Sequence, residues 1–256
     1  MDQLDPLAAF SLEGRVAVVT GASSGLGARF AGVLDALGAT VVVSARRADR
    51  IEALAAGLAR GDAVPADLSV AGASAALVDT AVERHGRVDV VVANAGVANV
   101  TPALRETVDQ FADLLTVDLV APFELAQAAV RHLRAAGRGG SVVMVASVAA
   151  MVSSPLLPQA GYVAAKAGLV GLTRELAVQW ARYGVRVNAL CPGMFPSEIT
   201  AALVEDEELR RPFEAEVPLR RFGRPDELDG ALAFLASDAS SYVTGQALVV
   251  DGGVAL

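Results

Sequence analysis

Five short runs in this chain are valine-rich and almost free of polar residues, and they constrain its fold more than any other feature. Residues 15–20 read RVAVVT, 40–44 TVVVS, 88–93 VDVVVA, 141–147 SVVMVAS and 185–190 VRVNAL. A strand with one face in water alternates apolar and polar side chains. Runs without that alternation are buried on both faces, which requires a parallel sheet covered on each side by helices. A shorter run ending at Asp67 and the run ALVV at 247–250 bring the set to seven.

Amphipathic stretches separate the runs. They predict helices over 25–37 and 49–59, one ending near His85, a long one between the fourth and fifth strands that breaks near Pro122, and one after Tyr162 reaching 182. Repeated βα units of this kind build the doubly wound class: a single-domain α/β Rossmann fold, a seven-stranded parallel sheet with helices on both faces. No linker or repeat interrupts the 256 residues, so 1–256 reads as one domain, with 194–218 as a lid over the substrate. Apolar residues make up 54% of the chain but aromatics only 5%, so the core must be built from Ala, Val and Leu.

The net charge of −8 disfavours nucleic acid and anionic membrane surfaces as partners. Asp2 and Asp5 stand where a signal peptide would be basic, and no apolar run reaches the 18 residues of a membrane span. The expected location is the cytoplasm, and no metal is expected.

The first strand ends in Thr20-Gly21-Ala22-Ser23-Ser24-Gly25-Leu26-Gly27. Gly21 can take the tight turn, Gly25 removes a side chain that would block a pyrophosphate, and Gly27 lets the following helix lie against the sheet. The backbone of Ser23, Ser24 and Leu26 then offers N–H groups at a helix N-terminus, a natural site for phosphate.

Tyr162 and Lys166 are four residues apart on a predicted helix and share a face. Such pairs are common, but of the 21 basic residues here Lys166 is the single lysine. Its falling four after one of three tyrosines has chance odds on the order of one in eighty. A coding bias toward arginine explains the other positions, and this exception keeps a compact ammonium where a guanidinium would not serve. An ammonium beside a phenol favours the phenolate, which makes Tyr162 a usable general acid in reduction and base in oxidation. Ser147, at the carboxyl end of the fifth strand, is placed to hydrogen-bond a substrate oxygen; a serine there also commonly caps a turn.

Taken in order, the G-x-x-x-G-x-G turn, Ser147, Tyr162 and Lys166 resemble the classical short-chain dehydrogenase/reductase family over nearly the whole chain. The resemblance implies hydride transfer between a nicotinamide cofactor and a ketone or secondary alcohol. It also implies an adenine contact at Asp67-Leu68, an N-A-G motif at Asn94-Ala95-Gly96 beside the cofactor, and a turn at Pro192-Gly193 meeting the nicotinamide end. Phe195, Ser197 and Thr200 follow at cofactor-contacting positions, and Asp251-Gly252-Gly253 closes the last strand. Lys166 would also hold the nicotinamide ribose. Two departures stand out. The family's active-site Asn aligns with Asp118, which keeps the backbone carbonyl of a proton relay but loses the amide donor. The Ser147-to-Tyr162 interval is two residues longer than usual.

Where NAD-preferring relatives carry an acid at the end of the second strand this chain has Ala45, followed by Arg46, which predicts NADP(H) over NAD(H). Met151, Leu156, Leu157, Phe195, Ile199 and Leu203 form an apolar substrate wall, which predicts a hydrophobic ketone rather than a free sugar. Reduction of 3-oxoacyl groups on acyl carrier protein is an alternative, with Arg131, Arg134 and Arg138 as a docking patch. A non-catalytic dinucleotide sensor on the same fold is a further one. The family resemblance also implies a homotetramer packed through helices around 107–135 and 162–182.

Overall fold

Each valine-rich run becomes a strand. In the computed structural model, which describes residues 5–198, 200 and 206–256, the strands are β1 (Val16–Thr20), β2 (Thr40–Ser44), β3 (Gly61–Ala63), β4 (Val90–Ala93), β5 (Gly140–Val145), β6 (Val185–Pro192) and β7 (Ala247–Val250). They form one sheet in the order β3-β2-β1-β4-β5-β6-β7, and every neighbouring pair is parallel.

Successive side chains of a strand feed opposite faces. Val18 joins a core built with α3 (Ala73–His85), α5 (Ala121–Ala135) and α6 (Ala160–Trp180), through Val78, Leu125 and Leu169. Its neighbour Val19 joins the other core, built with α1 (Gly25–Ala36), α2 (Ala48–Gly57) and α8 (Asp229–Ala236), through Phe30, Ile51 and Leu232. Two further helices, α4 (Val108–Leu115) and α7 (Glu207–Glu216), complete the set among the described residues. Burying each such side chain contributes roughly 1.5–3 kcal/mol. A core of this kind therefore gains its stability from many medium-sized side chains and needs few aromatics.

Several boundaries differ from expectation. β3 stops at Ala63, four residues before Asp67, and β5 stops at Val145, so Ser147 lies in the loop beyond it. β6 runs two residues further, to Pro192, because it pairs with β7 up to Val250. The break near Pro122 is a π-turn over Thr116–Val120 that joins α4 to α5 without leaving the helix. Proline cannot donate the bond that α geometry would ask of residue 122, and the wider turn absorbs the loss. α8 has no counterpart in the periodicity reading; it is short and apolar almost throughout, so it shows little face-to-face contrast. Among the described residues no helix is long and apolar enough to cross a membrane.

Candidate active site

Crossovers reverse direction between β1 and β4, and open α/β sheets bind ligands at the carboxyl ends of strands at such a point. A cleft of about 770 Å3 opens there. Beside Asp67 and Leu68 from the loop after β3, Arg46 and Arg47 line it beyond β2; Ser147, Tyr162, Lys166 and Leu157 line it beyond β5. β2 and β5 are three sheet positions apart, roughly 14 Å at the usual spacing, so the cleft is elongated along the sheet edge.

The middle of the cleft is the glycine turn. Gly21 has φ +66°, and a Cβ there would lie 2.7 Å from the Ala95 Cα, so only glycine fits. Thr20 Oγ1 accepts from the N–H groups of Asn94 and Ala95, both at 3.1 Å, and Asn94 Nδ2 donates to the Thr20 carbonyl at 2.9 Å. Asn94 thus lines the cleft but spends its amide binding β4 to the turn. Ser24 precedes α1 without capping it through its side chain, so the first N–H groups of α1 keep their capacity for an anion. An open helix start, a glycine turn and an elongated cleft fit a dinucleotide.

At the β5 end, Lys166 Nζ lies 5.5 Å from the Tyr162 ring centroid and donates to the Val145 carbonyl at 3.2 Å. Asp118, carried on the π-turn, is fully buried; its Oδ1 accepts from the Val97 N–H at 2.8 Å and its Oδ2 faces Lys166 Nζ at 3.0 Å. Burial pushes the Asp118 carboxyl above its ordinary range, opposed by Lys166 and the Val97 N–H. Burial alone would lower Lys166, but Asp118 and Tyr162 more than offset it and the ammonium is held above its usual range. A side chain at Gly96 would crowd this pair, its Cβ falling 3.0 Å from Asp118 Oδ2. Ser147 Oγ accepts from the Ala149 N–H at 3.1 Å, capping a short turn, and lines the cleft as well. Behind them burial pushes the Cys191 thiol up to about 11, which leaves it a poor nucleophile.

The remaining predicted positions, Gly25, Leu26, Gly27, Pro192, Gly193, Ser197 and Thr200, also line the cleft. Thr200 Oγ1 donates to the Phe195 carbonyl at 2.7 Å, and the Ser197 and Thr200 hydroxyls lie 3.1 Å apart, which shapes the segment after β6. Asp67 turns its carboxylate onto Ser69.

The apolar wall is corrected. Phe195 is 5% exposed and packs in the core with Leu228 and Leu232, so it meets the cleft only in part. Met151 and Leu156 are 41% and 40% exposed and lie outside the lining, while Leu157 is in it. Ile199 and Leu203 lie outside the described residues. Val97, Ala98, Val100, Val117 and Met194 line the cleft in their place, with Gln159 among them. Arg131 and Arg134 lie near the C-terminal end of α5, and Arg138 in the loop just after it. That helix leads into β5, which places them at the sheet edge opposite the cleft.

Sequence reasoning missed Arg47 and Glu198. Arg47 binds Ser23 and Ser24 of the glycine turn and pairs with Glu198 at 2.8 Å. The partners are 151 residues apart, and no local pattern links them.

The family model described as enoyl-(acyl carrier protein) reductase matches residues 21–255. The cis-4-hydroxycyclohexanecarboxylate dehydrogenase of Sinomonas cyclohexanicum is 42% identical over 243 residues, covering 93% of this chain and 96% of the relative. The 3-oxoacyl-[acyl-carrier-protein] reductase of Synechocystis sp. is 37% identical over 255 residues, covering 96% and 99%. The solved gluconate 5-dehydrogenase of Burkholderia cenocepacia J2315, in complex with NADP and tartrate, superposes with a TM-score of 0.91 at 35% identity and covers 98% of both chains. The chain belongs to the classical short-chain dehydrogenase/reductase family, the NAD(P)-dependent oxidoreductases of CH–OH groups.

Proposed function

We propose that this protein moves a hydride between NADP(H) and a neutral, largely hydrophobic ketone or secondary alcohol, with Tyr162 giving or taking the proton. The observation that carries it is a phenol one helical turn before a buried ammonium, at the end of the cleft that Ser147 also lines. When bound, the nicotinamide ring supplies the hydride in reduction and accepts it in oxidation.

In reduction the Tyr162 hydroxyl donates its proton to the carbonyl oxygen; in oxidation the same oxygen returns it. Ser147 Oγ already accepts from the Ala149 N–H, so its own O–H is free to point at the substrate oxygen. Lys166 has three N–H donors: one serves Val145, one faces Asp118, and the third is available to a ribose hydroxyl. Asp118 holds that ammonium directly, through its side-chain carboxylate.

NADP(H) preference is supported at the other end. Arg46 is exposed, lines the cleft and has no hydrogen-bond or ion-pair partner among the described residues, so a 2′-phosphate displaces nothing from it. Apolar lining near Tyr162 supports a hydrophobic substrate. No arginine or lysine other than Lys166 lines that end among the described residues, which favours a neutral compound over a sugar acid. The segment 194–218 is proposed as its lid. Val108, Val120 and Val178 are 83%, 55% and 79% exposed on the helices expected to pack in a homotetramer, and they support that assembly.

The Synechocystis relative favours acyl-carrier substrates as a second reading. The position of Arg131, Arg134 and Arg138 at the sheet edge opposite the cleft weighs against them as its docking patch, and comparing turnover on carrier-bound and free 3-oxoacyl thioesters separates the two. NADPH absorbance with a panel of cyclic, aromatic and sugar ketones tests the main reading. Expected is turnover on neutral cyclic ketones, abolished by Tyr162→Phe. Full activity in that variant overturns the proton role, and absence of turnover in the wild type would leave a dinucleotide sensor instead of an enzyme.

A further inference from the structure

At the Arg46 end of the cleft, one acid from the segment after β6 meets two arginines at the start of α2. Arg47 grips Glu198 with both arms of its fork, Nη1 to Oε1 at 2.9 Å and Nη2 to Oε2 at 2.8 Å. Arg50 Nη1 adds a contact to Oε1 at 2.8 Å. Arg47 also donates to Ser23 Oγ at 2.7 Å and to Ser24 Oγ at 3.0 Å. Those hydroxyls belong to the glycine turn, and Ser23, Ser24, Arg47 and Glu198 all line the cleft. Hydrogen bonds from Arg47 first, then Ser24, hold the Glu198 carboxyl down to about 2, so it is an anion at any working pH.

We propose that Glu198 is a built-in substitute for the 2′-phosphate of NADP(H): Arg47 holds its carboxylate and exchanges it for the phosphate when the phosphorylated cofactor binds. Glu198 is then a specificity-determining residue. The inference rests on the adenosine half of the cofactor lying at this end. A guanidinium fork is satisfied by either anion in the same bidentate geometry. NADH brings only a hydroxyl and leaves Glu198 seated, whereas NADPH has to evict it. The pair is half-exposed, 38% and 52% at the two side chains, so eviction is inexpensive and its cost falls on NADPH alone.

The test is fluorescence titration of NADPH and of NADH onto the wild type, Glu198→Gln and Arg47→Ala/Glu198→Gln, with Arg47→Ala as background. Expected for Glu198→Gln is a Kd for NADPH lower by about fivefold, with NADH changed by less than twofold. In the Arg47→Ala background the same substitution has no effect on NADPH. Equal changes for both cofactors would make Glu198 a clasp on the loop and overturn the proposal. So would an unchanged NADPH affinity, or an effect that survives without Arg47. A wild type that binds NADH as well as NADPH contradicts the Arg46 preference alone, since Glu198→Gln still favours NADPH if the exchange operates.

Discussion

The two ends of the cleft each carry an acid paired with a base, and the pairs differ in water rather than in distance. Asp118 and Lys166 stand 3.0 Å apart with side chains 0% and 4% exposed; Arg47 and Glu198 stand 2.8 Å apart with 38% and 52% exposed. A dry pair is costly to break, because removing one partner strands a charge that cannot reach solvent. A wet pair is screened and replaceable. The dry end therefore suits chemistry that needs a fixed proton donor and a fixed ammonium. The wet end suits recognition of a cofactor that comes and goes.

The largest test of this contrast is at the dry end. Tyr162→Phe should lower kcat by roughly 10²–10⁴-fold while NADPH binding, measured by fluorescence, stays within about twofold. Lys166→Arg keeps the charge but not the compact head, and is expected to lose most of the turnover; wild-type kcat in that variant would mean charge alone suffices. Asp118→Ala should cost about 3 kcal/mol of stability in urea denaturation, the low end for breaking a buried pair, whereas Glu198→Gln should leave the midpoint unchanged. Equal midpoints for the two variants would erase the distinction between the ends.

Asp118 also sets the Lys166 titration. A lysine held above its unfolded value contributes stability below that value and loses it as pH rises through the folded one. With Asp118→Asn the desolvation of Lys166 remains while its main support goes, so deprotonation and the accompanying loss of stability should move to lower pH. As the single lysine, its 13Cε resonance reports this without overlap, and an unmoved titration would show that Asp118 does not hold the charge. The smallest effect is expected at the wet end: Arg46→Ala should raise the KM for NADPH about tenfold and leave that for NADH alone.

Much of the fold was legible because its signals are local. Unbroken valine runs forced a parallel sheet, and two faces of each strand, such as Val18 and Val19, fed two cores as expected. The glycine turn, Ser147, Tyr162 and Lys166 were legible because their geometry is a matter of one turn or one loop. Boundaries at β3, β5 and β6 were not, since strands stop where a neighbour stops pairing, and that neighbour lies far along the chain.

Residue types and short spacings, then, were enough to determine the architecture, the glycine turn and the tyrosine–lysine pair. Tertiary structure alone decided that Asp118 meets Lys166 in a dry pocket, that Phe195 belongs to the core, and that Glu198 crosses 151 residues of sequence to occupy Arg47. The physical reason is the same in each case. Burial and charge pairing depend on which surfaces the sheet brings together, and a one-dimensional pattern carries no record of that.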